Sequence, residues 1–586
     1  MSIGGREKSH MVGNNPDGRM LVIGLDSATL DLIGPWVKAG KLPHMARLIK
    51  EGASGELESV PNMNSAPAWS SIVTGKNPGK HGIFWFVEDD PTRYGYTYVN
   101  ASFRTAKPIW QLLSEAGRRV GVINVPISYP ADPLNGFMLA GIDTPGVDAP
   151  GFCYPPNLYH DLHKELGKYI IEPGLPSLIK AGRIDEAVGT LYETIIQRTR
   201  YARRLIMEQS WDFFFIVYTS LDSAGHFFWK YMDPEHFKVS SEERDKYEQV
   251  IFNVYKMLDD AIGELTDMAG PDTRVMVISD HGMGPTDARD QMLPYWLESI
   301  GLLKFKAPSD NGKTQTLMNL GRRVIMDVLA HAYRQVDRRL RREAKLRLAN
   351  LFPRLRNAVE LHMELGKIDW PRTKAYVSAK RPEIWINLKG RQPQGIVEPG
   401  AEYDELCALI DEKLRELRDP ATGEPYVERV VRREEIYSGP WVERSPDLLV
   451  CFRRGGWMDS AKLGNRTVAE IKRTIFNKDP ALTLGSGHHT SRGIVLLWGE
   501  GIRPGSHTDG AHLYDIAPTL LYLMRSPIPS ELDGRVLTEV IEPGFLAARP
   551  IERAMVEAEM TSERSVFSGE DEEVIAKRLR DLGYVE

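Results

Sequence analysis

Cysteine is nearly absent from this 586-residue chain, which has only Cys153, Cys407 and Cys451, far apart in sequence. Three distant cysteines define no disulfide framework and favour a reducing compartment. The chain also contains no Cys-x-x-Cys pair. Any metal site must therefore be built from histidine and carboxylate ligands.

Long apolar segments are missing as well. No stretch approaches the roughly 20 apolar residues of a membrane-spanning helix, so we expect no membrane span. Residues 1–18 are polar, and the first apolar run, residues 20–25, is too short for a signal peptide. We therefore expect residues 1–18 to be a disordered extension and the protein to be cytoplasmic.

A charge excess is also lacking. Lysine and arginine number 74 against 80 acidic residues, a net charge of −6, which does not favour nucleic acid as a partner. With 42% hydrophobic and 26% charged residues, the composition is that of an ordinary globular protein. The length exceeds what one core accommodates, so we expect a large domain with an insertion or a second domain.

Short apolar runs alternate with longer helical patterns along most of the chain. Apolar strands separated by helices are typical of a parallel sheet covered on both faces. We therefore predict an α/β fold with a mostly parallel central sheet and helices on both faces. The predicted strands are residues 20–25, 119–125, 213–219, 274–279, 448–452 and 494–498, and the predicted helices are residues 43–51, 68–73, 109–116, 184–209, 246–268 and 513–524.

Residues 301–439 follow a different pattern and indicate an α+β insertion or cap. This insertion contains a predicted basic helix at 334–351, predicted strands at 373–378 and 383–388, and a predicted helix at 403–417. The core then comprises residues 19–300 and 440–545. Residues 546–586 form a helical tail, with a last helix capped by Ser568 and ending at Gly583. The arginines between 338 and 356 fit a solvated helix face or, alternatively, a patch for anions or a membrane surface.

Carboxylate and imidazole side chains follow several predicted strands. Ligands gather at the carboxyl ends of parallel strands, and two metal ions about 4 Å apart need about six Asp and His ligands. In Asp222-Ser-Ala-Gly-His226, both ligands would face the same side of a helical turn. The candidates are Asp26, Asp222, His226, Asp280, His281 and one of His488 and His489. This set predicts a centre for zinc or a similar divalent ion.

A nucleophile is present in the Ser-, Asn-, Pro- and Gly-rich segment 61–82. Ser65 precedes Ala66-Pro67, and proline is common in the first helical turn. Ser65 is therefore predicted near a helix N-terminus, which favours an anion. A hydroxyl bound to a metal there would lose its proton readily. Alternatively, Ser65 is only the cap of the helix.

The order of these motifs resembles the alkaline phosphatase superfamily, and most of all its type I phosphodiesterase/nucleotide pyrophosphatase branch. The resemblance covers about residues 20–300 and 440–540. The matching segments are Val22-Ile-Gly-Leu-Asp26, Ser65-Ala-Pro67, Thr74-Gly75, His81-Gly-Ile83, Asp222-Ser-Ala-Gly-His226, Ser279-Asp-His-Gly-Met283, Gly487-His-His489 and Leu532-Asp-Gly-Arg-Val-Leu537.

The resemblance implies a phosphoric ester hydrolase with two divalent metal ions, usually zinc and in some phosphomutase relatives manganese. It implies one metal held by Asp26, Ser65, Asp280 and His281. The other would be held by Asp222, His226 and a late histidine, for which spacing favours His489 over His488. The implied reaction cleaves a small-molecule phosphate ester through a phosphoseryl intermediate on Ser65. We interpret His81, in a tight His-Gly turn, as structural.

The chain also departs from the relatives it resembles. Nucleotide pyrophosphatases usually have Thr where Ser65 stands, and an Asn where this chain has Phe84-Trp-Phe86. Trp69 occupies the position of a sulfatase arginine, which disfavours sulfate esters. Because no arginine stands beside Ser65, phosphodiesters are favoured over monoesters, although an insertion residue such as Arg391 could clamp a dianion. The alternatives are a phosphomutase of the same superfamily and a catalytically silent phospholigand-binding protein.

Overall fold

The computed structural model describes residues 18–285, 293–306, 368–418, 423–452, 462–463, 466–467, 485–555, 564 and 567–581, except 91, 93, 236, 238 and 379–381. Residues 1–17 of the predicted extension lie outside the described residues. So do the predicted basic helix at 334–351 and the arginines around it. Among the described residues, no helix is both long and apolar enough to cross a membrane.

The strands are β1 (Arg19–Leu25), β2 (Ala53–Glu58), β3 (Val87–Asp90), β4 (Gly95–Tyr98), β5 (Val120–Ile123), β6 (Gly136–Leu139), β7 (Cys153–Tyr154), β8 (Phe213–Tyr218), β9 (Thr273–Ile278), β10 (Gly282–Pro285), β11 (Ala375–Tyr376), β12 (Glu383–Ile386), β13 (Val427–Arg432), β14 (Leu448–Phe452), β15 (Lys462–Leu463), β16 (Arg466–Thr467), β17 (Gly487–Thr490), β18 (Arg492–Trp498), β19 (Ser506–His507), β20 (Ala511–His512), β21 (Ile528–Pro529) and β22 (Arg553–Ala554).

The α-helices are α1 (Leu30–Lys38), α2 (Pro43–Glu51), α3 (Ser65–Thr74), α4 (Pro78–His81), α5 (Ile109–Glu115), α6 (Leu158–Leu166), α7 (Leu175–Lys180), α8 (Ile184–Glu208), α9 (Ser220–Met232), α10 (Ser241–Tyr247), α11 (Val250–Ala269), α12 (Leu293–Ser299), α13 (Ala401–Arg415), α14 (Arg433–Ile436), α15 (Ile516–Leu523), α16 (Pro543–Ala548) and α17 (Gly569–Asp581). Short 3₁₀ helices lie at Ala101–Phe103, Trp370–Arg372, Val442–Arg444, Leu513–Asp515 and Thr538–Val540.

Within the part of the chain that the structure describes, ten strands form the core sheet, with the order β19-β2-β18-β9-β1-β8-β5-β6-β7 and β20 paired to β2. The five neighbours β9, β1, β8, β5 and β6 run parallel, which confirms the predicted mostly parallel sheet. Residues 494–498 do form a strand of this sheet, but β18 runs antiparallel to both of its neighbours.

Helices cover both faces of the central sheet because its inner strands are almost continuously apolar. Successive side chains of a strand point to opposite faces. In β1, Leu21 and Ile23 pack into one buried cluster, together with residues of α2, α8, α9 and α11. Met20 and Val22 pack into the other cluster, with residues of α3, α5 and α15. This two-faced burial is what a nearly continuous apolar strand requires.

A second, smaller sheet has the order β11-β12-β14-β13, with every pair antiparallel. It shares its own buried cluster with α12 and α13. The strands predicted at 373–378 and 383–388 and the helix at 403–417 are present here. Residues 448–452 form a strand, but β14 belongs to this sheet, so its predicted place in the central sheet was wrong. The predicted domain boundaries stay a prediction.

The β3–β4 hairpin joins the two sheets. Tyr94 at its tip stacks on Trp370, with ring centroids 3.6 Å apart and planes 11° apart. The Tyr94 hydroxyl donates to Asn387 Oδ1 at 2.9 Å. Ser378 Oγ also donates to Asp89 Oδ1 of the hairpin, at 2.7 Å. These contacts hold the second sheet against the β3–β4 hairpin.

The tail carries the predicted final helix, α17. Ser568 Oγ accepts a hydrogen bond from the backbone N–H of Asp571 at 3.3 Å, as the predicted cap requires. Ile575 and Leu579 pack into a cluster that also contains Ala66, the residue after Ser65. The predicted end at Gly583 lies outside the described residues.

Candidate active site

One edge of the central sheet brings the predicted residues together. The carboxyl ends of β1, β8 and β9 meet there because the three strands are parallel. β18 is antiparallel to β9 and β2, so β18 begins at this edge and β2 ends at it. The connections from β2 to α3 and from β17 to β18 therefore also lie at this edge. The residues that meet are Asp26, Ser65, Asp222, His226, Asp280, His281 and His489.

Ser65 is the first residue of α3, and its helix is capped by its neighbour. Asn64 has extended backbone angles and its Oδ1 accepts from the backbone N–H of Ala66 at 3.2 Å. The alternative interpretation of Ser65 as the cap is therefore wrong. The Ser65 hydroxyl is buried and lies 3.1 Å from His281 Nε2. It is thus held at a helix N-terminus and directed into the cluster of ligands.

Asp26, Asp280 and His281 form the first group of potential metal ligands. One ligand atom from each lies within 4.8 Å of the other two, and all three side chains are buried. His281 Nε2 is 3.2 Å from Asp280 Oδ2 and 3.6 Å from Asp26 Oδ1. Ser65 Oγ approaches the same nitrogen, so this is the group beside the predicted nucleophile.

The carboxylates of this group fit a cation. Among the described residues, Asp26 Oδ1 and Asp280 Oδ2 are buried without a hydrogen-bond partner. Burial, followed by the charges of Asp280 and Asp222, raises the pKa of Asp26 well above its usual range. Burial also raises the pKa of Asp280 to about 7. Crowded, buried carboxylates that each keep one oxygen without a donor are costly, and a divalent cation would stabilise their charged forms.

Asp222, His226 and His489 form a second group. Asp222 Oδ1 is 3.3 Å from His226 Nε2, one turn further along α9, and 3.0 Å from His489 Nε2. A Cβ at Gly487 would lie 2.3 Å from the Gly225 carbonyl oxygen, so only glycine allows β17 to approach α9 this closely. The two Nε2 atoms, of His226 and His489, are 3.0 Å apart.

The two imidazoles of this second group have pKa values that move in opposite directions. Burial opposes protonation of His226, but Asp222 and the Gly487 carbonyl raise its pKa overall, whereas the pKa of His489 is lowered. Burial lowers the pKa of His489 to about 3 and that of His281 to about 4, which favours the neutral form of both rings. Burial works against ionisation of Asp222, but His226 and His489 hold its pKa well below the usual range. His281 also lies within 4.8 Å of Asp222 and His489, which places its ring between the two groups.

The structure distinguishes the two late histidines. They are adjacent in β17, so their side chains point to opposite faces. His489 Nδ1 bonds the Met63 carbonyl oxygen at 2.7 Å, and its ring stacks on His281 with centroids 3.8 Å apart. His488 is exposed. Only His489 joins the ligand groups.

This difference predicts the outcome of a matched pair of substitutions. His489→Ala is expected to lower the divalent metal content by about one ion per protein, because a site of few protein ligands loses one. His488→Ala, on the exposed face, is expected to keep the full content. Elemental analysis of the purified variants measures both. Metal loss in His488→Ala, with none in His489→Ala, would reverse the assignment.

Two residues that the sequence did not identify as part of the site also contact it. Ser27 Oγ lies 2.8 Å from Asp222 Oδ1, and Trp69 Nε1 donates to Asp26 Oδ2 at 3.1 Å. Gly24 makes room for Trp69, since a Cβ there would lie 2.5 Å from the indole ring. The position of Ser27 directly after a strand-end aspartate was the available signal. Nothing local marked Trp69 as a donor to Asp26.

Two further expectations concern His81 and Arg391. His81 is fully buried, and its Nδ1 accepts from the backbone N–H of Ile83 while its Nε2 bonds Ser71 Oγ at 3.0 Å. These contacts fit the structural role predicted for His81. Arg391 binds both carboxylate oxygens of Asp447, at 2.8 and 2.6 Å. Its guanidinium is committed to this ion pair, so the suggested clamp on a substrate dianion was wrong.

Residues 20–474 match the family model of the type I phosphodiesterase / nucleotide pyrophosphatase family. The chain belongs to this family. Membership confirms the resemblance found in the motifs and the predicted enzyme class, a phosphoric ester hydrolase. No curated protein sequence matches the chain.

Several solved structures are similar to this family member. Human ectonucleotide pyrophosphatase/phosphodiesterase 5 is 13% identical with a TM-score of 0.43, and the alignment covers 87% of this chain and 95% of that one. Phosphonoacetate hydrolase from Sinorhizobium meliloti, in complex with phosphonoformate, is 15% identical with a TM-score of 0.48, covering 87% and 96%.

Proposed function

We propose that this chain is a dinuclear metal-dependent phosphohydrolase that cleaves a small phosphate ester through a phosphoseryl intermediate on Ser65. The observation that supports this proposal most directly is the position of Ser65 Oγ, at the N-terminus of α3 and 3.1 Å from His281 Nε2. A buried hydroxyl beside two groups of Asp and His side chains is the arrangement that a metal-activated nucleophile needs.

Two divalent ions would be held by the two groups of ligands. Asp26, Ser65, Asp280 and His281 would hold one, and Asp222, His226 and His489 the other. The unpartnered oxygens of Asp26 and Asp280 support the first assignment, and the convergence of Nε2 atoms on Asp222 supports the second. Asp and His donors suit zinc, with manganese as the alternative. Bound ions would lower the pKa of the Ser65 hydroxyl and neutralise charge on the phosphoryl oxygens.

The residues of the chain then perform the following chemistry. Ser65 Oγ loses its proton and attacks the phosphorus in line, so that an O–P bond forms as the ester O–P bond breaks and the alcohol leaves. The N-terminus of α3 favours the negative charge that gathers beside Ser65. Water then attacks the phosphoserine, which releases phosphate or a phosphomonoester and restores the Ser65 hydroxyl.

Phosphodiesters are the favoured substrates in this proposal. A monoester dianion carries one more charge than a diester and is usually bound by an arginine fork. Arg391 is held by Asp447, and Arg433 pairs with Glu443 Oε2 at 2.6 Å. Neither of these two guanidinium groups is therefore offered to a substrate, which supports the smaller negative charge of a diester.

We also propose that the enzyme acts in the cytoplasm on a small molecule rather than on nucleic acid. The three cysteines are all free thiols, which suits a reducing compartment. The near balance of charges offers no bulk attraction to a polyanion.

Metal quantification combined with two model substrates tests the proposal. Purified protein is expected to contain about two divalent ions and to hydrolyse a bis-aryl phosphate faster than a mono-aryl phosphate, with both activities lost on chelation. Metal-loaded protein that turns over neither ester would favour the silent binding protein. A phosphoserine that persists until an acceptor is added would favour the phosphomutase.

A further inference from the structure

Ser27 lies between the two groups of ligands. Its side chain is buried, and its Oγ is 2.8 Å from Asp222 Oδ1 in the second group and 3.3 Å from His281 Nδ1 in the first. Its backbone N–H donates to Asp280 Oδ1 at 3.5 Å. One residue thus touches side chains that are proposed to bind different metal ions.

The partners of His281 determine the direction of these hydrogen bonds. His281 Nδ1 lies 3.1 Å from the carbonyl oxygen of Gly282, which can only accept, so Nδ1 carries the proton. The lone pair then sits on Nε2, which faces Asp26 and Asp280. Ser27 Oγ accepts from His281 Nδ1–H and donates its own proton to Asp222 Oδ1. The hydroxyl therefore connects the imidazole of one group with the carboxylate of the other.

The backbone of Ser27 makes this side chain notable. Its φ angle is +71°, in the left-handed region that favours glycine over serine. Glycine would adopt this turn more readily but would offer no hydroxyl. The hydrogen bonds to Asp222 and His281 are what serine adds.

We propose that Ser27 is a positioning residue that couples the two metal sites: together with the Gly282 carbonyl it holds the His281 ring with the Nε2 lone pair toward one ion, and it orients Asp222 toward the other. This inference rests on the proposed function. Hydrogen bonds behind metal ligands hold the ligand orientation and raise affinity, and their loss typically weakens binding about 10–100-fold. Because Ser27 contacts both groups, its loss weakens both sites.

The test uses Ser27→Gly and Ser27→Ala in the full chain, with Arg525→Gly as the matched control. Arg525 also has a positive φ angle, +52°, and follows α15, outside both groups of ligands. Zn²⁺ affinity is measured by competition with a chromophoric chelator, the thermal midpoint on metal-free protein, and kcat/KM on a bis-aryl phosphate.

Ser27→Gly is expected to raise the thermal midpoint of the metal-free protein, because the backbone strain is relieved. The same variant is expected to weaken Zn²⁺ binding at both sites about 10–100-fold, with a matching loss of kcat/KM. Ser27→Ala is expected to weaken both sites equally without the gain in midpoint. Arg525→Gly is expected to raise the midpoint with unchanged affinity. A merely structural serine would not separate stability from metal affinity in this way.

Wild-type Zn²⁺ affinity at both sites in Ser27→Gly and Ser27→Ala would overturn the inference, and weakening of one site alone would overturn the coupling. If Ser27→Gly does not fold, Ser27→Ala decides. Failure of the proposed function itself is recognised separately, because the wild-type protein would then either bind no pair of Zn²⁺ ions or, when loaded with both, hydrolyse neither model ester.

Discussion

Ser65→Ala is expected to lower kcat for phosphate ester hydrolysis by at least about 10³-fold, because the only route left is direct attack by water. The metal content is expected to remain, since Asp26, Asp280 and His281 still supply the other ligands of the nearby ion. The readouts are steady-state turnover of a bis-aryl phosphate and elemental analysis. Full activity in this variant would exclude a phosphoseryl mechanism.

Two companion variants make that result specific. Ser70→Ala removes another buried serine hydroxyl from the same helix and is expected to keep wild-type turnover. Ser65→Thr keeps a hydroxyl at the N-terminus of α3 and is expected to retain measurable hydrolysis. After acid quenching, mass spectrometry should find the transferred phosphoryl group on residue 65 in the wild type and the Thr variant. It should find none in Ser65→Ala.

The largest expected loss of stability follows from Asp447→Ala in the second sheet. Asp447 is fully buried, and besides Arg391 it accepts from the Tyr403 hydroxyl at 3.0 Å and the Ile386 backbone N–H at 2.6 Å. Removing one partner of a buried ion pair leaves a charge without compensation, which costs about 3–5 kcal/mol. Denaturant unfolding, with hydrogen exchange of the β12 and β14 amides, measures the change.

Asp404→Ala is the matched control for this ion pair. Asp404 pairs with Arg432 at 2.6 Å, but the two side chains are 60% and 32% exposed. A pair in contact with solvent contributes less than about 1 kcal/mol, so little loss is expected. Equal losses in the two variants would contradict the dependence on burial.

The elements of the fold were largely predictable, whereas the partners of some strands were not. Apolar runs and helical periodicity located β1, β8, β9 and α2 within a residue or so of their observed bounds. An apolar run does not encode which sheet it joins or in which direction it runs. For that reason β14 was assigned to the wrong sheet, and the antiparallel direction of β18 was not foreseen.

The residues of the candidate site were likewise predictable only in part. Asp26 and Asp280 were identifiable because a carboxylate directly after a buried strand is visible in the sequence. Ser27 and Trp69 were missed as parts of the site, since their contacts depend on distances between segments that are remote in the chain. Spacing favoured His489 over His488, and His489 is the one that faces the other proposed ligands. The reason became visible only in the structure, because adjacent side chains of β17 point to opposite faces.

The position of β18 has a consequence for biosynthesis. This strand lies between β2 and β9, although roughly 200 residues separate β9 from it in the chain. At synthesis rates of about 5–20 residues per second, the nascent chain spends tens of seconds with facing edges of β2 and β9 unpaired. Open apolar edges of this kind invite pairing with other chains. We therefore expect this protein to depend on chaperones until Arg492 and the residues after it have emerged from the ribosome.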